Sequence, residues 1–111
     1  MGLNLCALSL LGAIWTVAPA FAADTIHVTI DKLKFAPAQI SAHVGDTIEW
    51  DSSDFVAHTA TARNKDFDVA IPAKAVSSVI LQHAGDIDYF CRFHPNMTGR
   101  ISVAPNQLNG S

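Results

Sequence analysis

The chain has 111 residues, half of them hydrophobic, and a formal net charge of −3 at pH 7. This length fits a single folded domain. Its Lys and Arg residues form no basic stripe, which argues against a nucleic-acid partner.

The first segment of the chain has the order of a secretory signal peptide. An apolar run from Leu3 to Val17 precedes Pro19 and a small-x-small cleavage site that ends at Ala22. We predict that residues 1–22 are removed and that residues 23–111 form an exported, periplasmic domain. No Lys or Arg precedes the apolar run, which is unusual for a signal peptide. The alternative is a retained membrane anchor, because the run and its flanks reach the ~20 residues that cross a bilayer.

The remainder of the chain shows the two-residue period of half-buried strands. In chain order, this alternation predicts extended segments at residues 26–30, 35–44, 47–51, 56–62, 76–82, 86–91 and 99–103. Phe67–Lys74 contains Pro72 and is predicted to be irregular. The polar tail Pro105–Ser111 is predicted to be frayed.

Turn signals separate these segments, at Gly45-Asp46 and Ala84-Gly85 among others, and no helical period appears. About seven to eight short strands of this kind predict an all-β fold, either a β-sandwich or a closed barrel. Pro37 has no N–H to donate to a neighbouring strand. We therefore expect its segment at a sheet edge or at a bend between strands.

The run after the predicted strand 86–91 has the composition of a metal-binding loop. Cys91, His94 and Met97 follow one another at intervals of three, and His58 comes from a different strand. Two imidazoles and a thiolate with a weak axial thioether are the donors of a blue-copper electron-transfer site. Structural zinc seldom takes a thioether, and hard cations take oxygen. We therefore predict that these four side chains bind one copper ion, which cycles between Cu(I) and Cu(II).

The cysteine count supports this prediction. Cys6 lies in the predicted leader, so the exported domain keeps Cys91 as its one thiol. A single thiol in an oxidising compartment is a liability unless something occupies it. A buried, inert cysteine is the alternative. His27, His43 and His83 have no other ligand type beside them, and we interpret them as ordinary polar residues.

At these residues the chain resembles the cupredoxin family of small blue-copper proteins, most closely its amicyanin-like and plastocyanin-like members. The likeness covers most of the exported domain, in the family's order: Phe35-x-Pro37, Gly45–Trp50, Asp54, His58, Tyr89-x-Cys91 and Gly99-x-Ile101-x-Val103. The resemblance implies a Greek-key β-sandwich and a copper site made by His58, Cys91, His94 and Met97. It also implies that electrons pass at the edge of His94, inside an apolar patch with Phe93, Pro95 and Met97 as its rim.

The chain departs from the family at three positions. Thr59 replaces an Asn that ties the two ligand loops together, and its hydroxyl can make a similar tie. Arg92 replaces a Thr or Ser. Phe93 replaces a Pro and restores an N–H, which can point at the sulfur of Cys91. A hydrogen bond there raises the reduction potential, because it weakens sulfur donation to oxidised copper.

The donor set also bears on the class of function. All four predicted donors are protein groups, whereas a catalytic metal site keeps an open coordination position. We therefore predict that the protein is not an enzyme. The interpretation is a monomeric carrier of single electrons, in transient contact with a redox donor and a redox acceptor protein. A membrane contact is expected only if the leader is retained. Two alternatives stay open: a copper-binding or copper-delivery protein, and a structural β-sandwich without metal.

Overall fold

A computed structural model of the chain describes residues 22–106, together with residues 2 and 12–14. The predicted leader, residues 1–22, lies almost entirely outside the described residues, as does most of the predicted frayed tail. Among the described residues, no helix is long and apolar enough to cross a membrane.

The described chain forms nine strands in two packed sheets. The strands are β1 (Thr25–Asp31), β2 (Lys34–Ala36), β3 (Gln39–His43), β4 (Thr47–Ser52), β5 (His58–Ala62), β6 (Asp68–Ile71), β7 (Val76–Ile80), β8 (Gly85–Phe90) and β9 (Thr98–Ala104). One sheet has the order β2-β1-β4-β7, and the other has the order β3-β9-β8-β5-β6. The predicted all-β sandwich is confirmed.

The two-residue alternation places one face of each main strand in the core. On β1, Val28 and Ile30 are fully buried, and on the neighbouring β4, Ile48 and Trp50 are fully buried as well. These two strands run parallel with Val28 opposite Trp50, so their apolar side chains lie on the same face of the sheet. The opposite sheet contributes β8 and β9, whose buried residues alternate in the same way.

Aromatic rings connect the two sheets. Tyr89 on β8 packs edge-on against Phe35, with ring centroids 4.7 Å apart, and against Trp50, at 5.7 Å. The indole N–H of Trp50 donates a hydrogen bond to the Tyr89 hydroxyl over 3.4 Å. Gly99 on β9 leaves room for this ring, because a Cβ at that position would collide with Tyr89.

One strand corrects the sequence prediction. β6 forms inside the segment that was predicted to be irregular, where it pairs with β5 alone and is an edge strand. Four residues are too few to show a clear alternation, and Pro72 follows at once. Pro37 behaves as predicted, because it lies between β2 and β3, which are edge strands of opposite sheets.

Four connections meet at one end of the sandwich, which we call the loop end: residues 31–34 (the turn between β1 and β2 with its two flanking strand residues), 53–57, 72–75 and 91–97. Asp54 connects three of them. Its carboxylate accepts hydrogen bonds from the backbone N–H groups of Lys32 and Leu33, and its carbonyl accepts one from Lys74. A groove of about 450 Å³ between residues 32–34 and 94–97 places the fourth loop beside the first.

Candidate metal centre

Three of the four predicted ligands converge at the loop end. The sulfur of Cys91 lies 3.6 Å from Nδ1 of His58 and 3.8 Å from Nδ1 of His94. The three candidate ligand atoms all lie within 4.8 Å of one another. The structure therefore brings together an imidazole from β5 and two donors from the loop between β8 and β9.

The local fold fixes each of these side chains. His58 opens β5 and has a side chain that is 0% exposed. Cys91 follows the last residue of β8 and is fully buried, whereas His94 is half-buried. Two backbone hydrogen bonds close the loop from Cys91 to Met97. The Cys91 N–H donates to the Met97 carbonyl over 3.0 Å, and the Met97 N–H donates to the His94 carbonyl over 2.8 Å.

Met97 ends this loop directly before β9 and is 3% exposed. Its backbone thus holds both Cys91 and His94 in place. Its role as the axial ligand stays a prediction.

A second set of hydrogen bonds connects the two ligand segments. The Thr59 hydroxyl accepts a hydrogen bond from the Arg92 N–H over 2.9 Å, which is the tie expected of this residue. The Thr59 N–H points at the Cys91 sulfur over 3.4 Å. Phe93 was expected to supply such an N–H, but within the part of the chain that the structure describes it makes no hydrogen bond to this sulfur. Instead Phe93 turns outward and is 56% exposed.

Asp54 is a site residue whose role the sequence analysis missed. Its carboxylate lies 2.8 Å from Nε2 of His58, so this nitrogen carries a proton and leaves Nδ1 facing Cys91. Burial raises the pKa of Asp54, but the hydrogen bonds from the Leu33 amide, from His58 and from the Lys32 amide outweigh it and hold the pKa below its usual value. Asp54 precedes His58 by four residues on a loop and a strand, a spacing that does not by itself indicate a contact.

The donor set and its geometry fit a soft metal ion. Two ligands at about 2.0–2.3 Å from one ion in a trigonal plane lie about 3.5–4.0 Å apart. The separations of 3.6 Å and 3.8 Å between sulfur and nitrogen lie within that range. The carboxylate of Asp54 bonds to the outer nitrogen of His58 rather than facing the cluster, which gives a carboxylate–histidine pair of the kind found behind metal ligands. The cluster is therefore a potential copper site.

The remaining histidines lie away from this cluster, as predicted. His27 pairs with Glu49 over 3.3 Å, and His83 lies 3.8 Å from Asp66. His43 lies near the start of the turn before β4. They are exposed or partly exposed, and their positions match ordinary surface residues.

Comparisons with known proteins agree with this fold and identify its family. A family model described as a cupredoxin-like domain matches residues 4–103. Amicyanin from Paracoccus versutus is 26% identical over 87 residues, which cover 73% of this chain and 66% of that protein. The match thus spans just under two thirds of the relative's length.

Solved structures give the same result. The crystal structure of amicyanin from Paracoccus versutus superposes with a TM-score of 0.62 at 25% identity, covering 76% of this chain and 85% of that one. The Cu(I) form of a methionine-to-alanine mutant of amicyanin gives a TM-score of 0.66 at 26% identity, covering 76% and 86%. The family model covers most of the chain, and the sandwich matches these structures. The chain belongs to the cupredoxin-like family.

Proposed function

We propose that this chain is a small exported type 1 copper protein that carries single electrons between redox partners. In this proposal His58, Cys91, His94 and Met97 are the ligands of one copper ion. The observation that carries the proposal is the convergence of one sulfur and two Nδ1 atoms within 4.8 Å, on residues of which His58 and Cys91 are buried and His94 is half-buried. The similarity to amicyanin, which includes a Cu(I) form among its solved structures, supports copper as the ion.

The surrounding residues suit a carrier. Copper supplies a one-electron change between Cu(I) and Cu(II). The protein keeps the donors in place in both states, because Asp54 orients His58 and Thr59 connects the two ligand segments. Because these bonds fix the donor side chains, we expect the site to rearrange little each time an electron is transferred. His94 is the half-buried ligand and lines the groove at the loop end, which makes its edge the proposed point of electron exchange.

The proposal extends to the class of protein and its location. Four protein donors leave no open position for a substrate, so the protein acts as a carrier rather than an enzyme. Its contacts with donor and acceptor proteins are transient, and it works as a monomer. We place it in the periplasm after cleavage behind Ala22, and amino-terminal sequencing of the exported protein tests this, with Ala23 expected as the first residue.

The decisive experiment adds Cu(II) to the purified, metal-free protein and measures its visible spectrum and its redox cycle. We expect an intense blue thiolate-to-copper band and reversible one-electron reduction. Cys91→Ser removes the sulfur donor and should abolish the band. His83→Gln is the matched control, since this exposed histidine lies outside the cluster, and it should keep the wild-type spectrum.

Two results would contradict the electron-carrier proposal. Copper that binds tightly without the blue band and without reversible reduction would favour the alternative of copper delivery. A protein that binds no copper, and whose Cys91→Ser variant behaves like the wild type, would leave only a structural β-sandwich.

A further inference from the structure

Exposed apolar side chains gather at the loop end. Phe55 is 85% exposed, Phe93 56%, Val56 47% and Leu33 45%. They lie on three of the loops that surround His94, and together they form a patch that no described part of the chain covers. An exposed apolar patch around a functional group is typical of a protein contact site.

The exposed charges at the loop end are mainly positive, whereas the net charge of the whole chain is negative. The chain has 7 Lys and Arg against 10 Asp and Glu. Four of the cations lie on three of the four loops: Lys32, Lys34, Lys74 and Arg92, and all four side chains are exposed. The other three cations share the remainder of the molecule with most of the acidic residues. A protein of net charge −3 therefore presents a basic rim around its candidate metal centre.

The acidic residues at the loop end offset this rim only in part. Asp54 has a side chain that is only 12% exposed and accepts hydrogen bonds from two backbone amides beside His58. Asp31 is exposed and keeps its negative charge while it accepts a hydrogen bond from Ser53. Asp68 lies beside Arg92, with 3.2 Å between its Oδ1 and the guanidinium Nε. Against these carboxylates stand four exposed cations, so the positive charges stay in excess at the exposed surface of the rim.

The lysines lie where a partner would contact them. Lys32 and Lys34 line the groove of about 450 Å³ whose opposite side is formed by His94 and Pro95. The ammonium group of Lys74 lies 3.9 Å from the ring centroid of Phe55. The rim and the apolar patch are thus one continuous surface, which we call the basic apolar face: Lys32, Leu33, Lys34, Phe55, Lys74, Phe93 and Pro95.

We propose that the basic apolar face docks against a redox protein whose own electron-transfer site opens within an acidic patch. This inference rests on the proposed electron-carrier function and specifies its partner. Local charge complementarity steers such encounters and disfavours partners of the wrong sign. A partner with a basic face is repelled at this end, even though the net charge of the whole chain would attract it.

Binding is tested first on the metal-free protein. Isotope-labelled protein is titrated with hexacyanochromate(III), an anionic and paramagnetic complex, while the amide NMR signals are followed at low and at high salt. We expect broadening at residues 31–34 and 91–97 at low salt and its loss at high salt, because salt screens surface charges. Broadening centred on Lys65, at the opposite end of β5, or spread evenly over the surface would overturn the proposal.

Electron transfer is tested next on the copper-loaded protein. The reduced protein gives one electron to hexacyanoferrate(III), which becomes hexacyanoferrate(II), and the rate is measured against ionic strength. We expect the rate to fall as salt rises, which is the sign of local attraction. The net charge of −3 would produce the opposite slope. A rate that rises with salt would overturn the proposal.

A pair of variants separates local charge from net charge. Lys34→Glu and Lys65→Glu change the net charge equally, but only Lys34 lies on the basic apolar face. Lys34→Glu should lower the low-salt rate by about 3- to 10-fold, and Lys65→Glu should leave it near the wild-type value. Equal effects would refute the proposal. If copper gives no blue band, the electron-carrier function fails, and the chromium titration still decides whether the face binds anions.

Discussion

Asp54 joins the candidate metal centre to the surface of the protein. Its carboxylate accepts the Nε2–H of His58 and the backbone amides of Lys32 and Leu33. Both amides belong to a turn in which Lys32 and Leu33 have φ angles of 50° and 60°. This one side chain therefore fixes the tautomer of His58, a proposed ligand, and also fixes the turn that forms one wall of the groove.

Asp54→Asn should lower the affinity for copper about 10- to 100-fold, which is the usual effect of removing a carboxylate behind a histidine ligand. An amide is a weaker acceptor, so it orients and polarises His58 less. Competition with a copper chelator measures the affinity. Asp86→Asn is the control, because this substitution removes the same charge from an exposed residue of β8. Equal affinity of the two variants would show that Asp54 does not support the ligand.

The sequence pointed to the three residues that the structure brings together more readily than to their supports. The spacing of Cys91 and His94 is local, so one loop was enough to predict that they lie close together, while the role of Met97 as a ligand stays a prediction. The bonds of Asp54 with the amides of Lys32 and Leu33 join residues 22 and 21 positions apart, and no local pattern reveals them. Phe93 shows the converse. Its restored N–H suggested a bond to sulfur, whereas the amide that points at the sulfur in the structure is that of Thr59.

At the scale of strands, prediction succeeded where alternation is long. β1, β4, β8 and β9 have six or seven residues each and bury the expected side chains. β6 has four residues, which are too few for its alternation to stand out in the sequence. It is held by pairing with β5, and Asp68 on it bonds to Thr61 and Arg92. These contacts exist only in the folded sandwich, so the sequence could not indicate them.

The pairing of β8 with β9 depends on the absence of a side chain at Gly99. Gly99 lies opposite Tyr89, and a Cβ there would collide with the ring of that tyrosine. Gly99→Ala should therefore lower the free energy of unfolding by about 1–3 kcal/mol, the usual cost of overpacking. Denaturant unfolding measures the change.

The control for this prediction is on the same strand. Ser102→Ala changes an exposed residue of β9 and should stay within about 0.5 kcal/mol of the wild type. If Gly99→Ala were as stable as Ser102→Ala, the tyrosine ring would have room to move. The close fit of β8 against β9 would then not limit stability.

Over the whole molecule, the two sheets are held together by a core in which polar groups are paired. Among the described residues, no buried side-chain nitrogen or oxygen lacks a hydrogen-bond partner. The bond from Trp50 to Tyr89 crosses from one sheet to the other inside that core. Tyr89 is 1% exposed, so its hydroxyl is stable there only in the neutral form. The stability of the entire sandwich therefore depends on pH in the alkaline range.

Burial raises the pKa of Tyr89 from 10.0 to about 12, although the hydrogen bond from Trp50 lowers it in part. The folded state thus holds the phenolic proton more tightly than the unfolded state does. This contribution to stability is complete below pH 10 and is lost as the pH rises towards about 12. We expect the free energy of unfolding to fall by about 2–3 kcal/mol over that range.

The measurement is unambiguous, because Tyr89 is the single tyrosine of the chain. Tyrosinate absorbance reports its ionisation directly, and denaturant unfolding at each pH reports stability. Tyr89→Phe removes the titrating group and should lose less stability between pH 10 and 12 than the wild type, whatever its stability at neutral pH. Tyrosinate formation near pH 10 in the folded protein would contradict the prediction, since it would mean that water reaches this hydroxyl and that the two sheets do not seal the core around it.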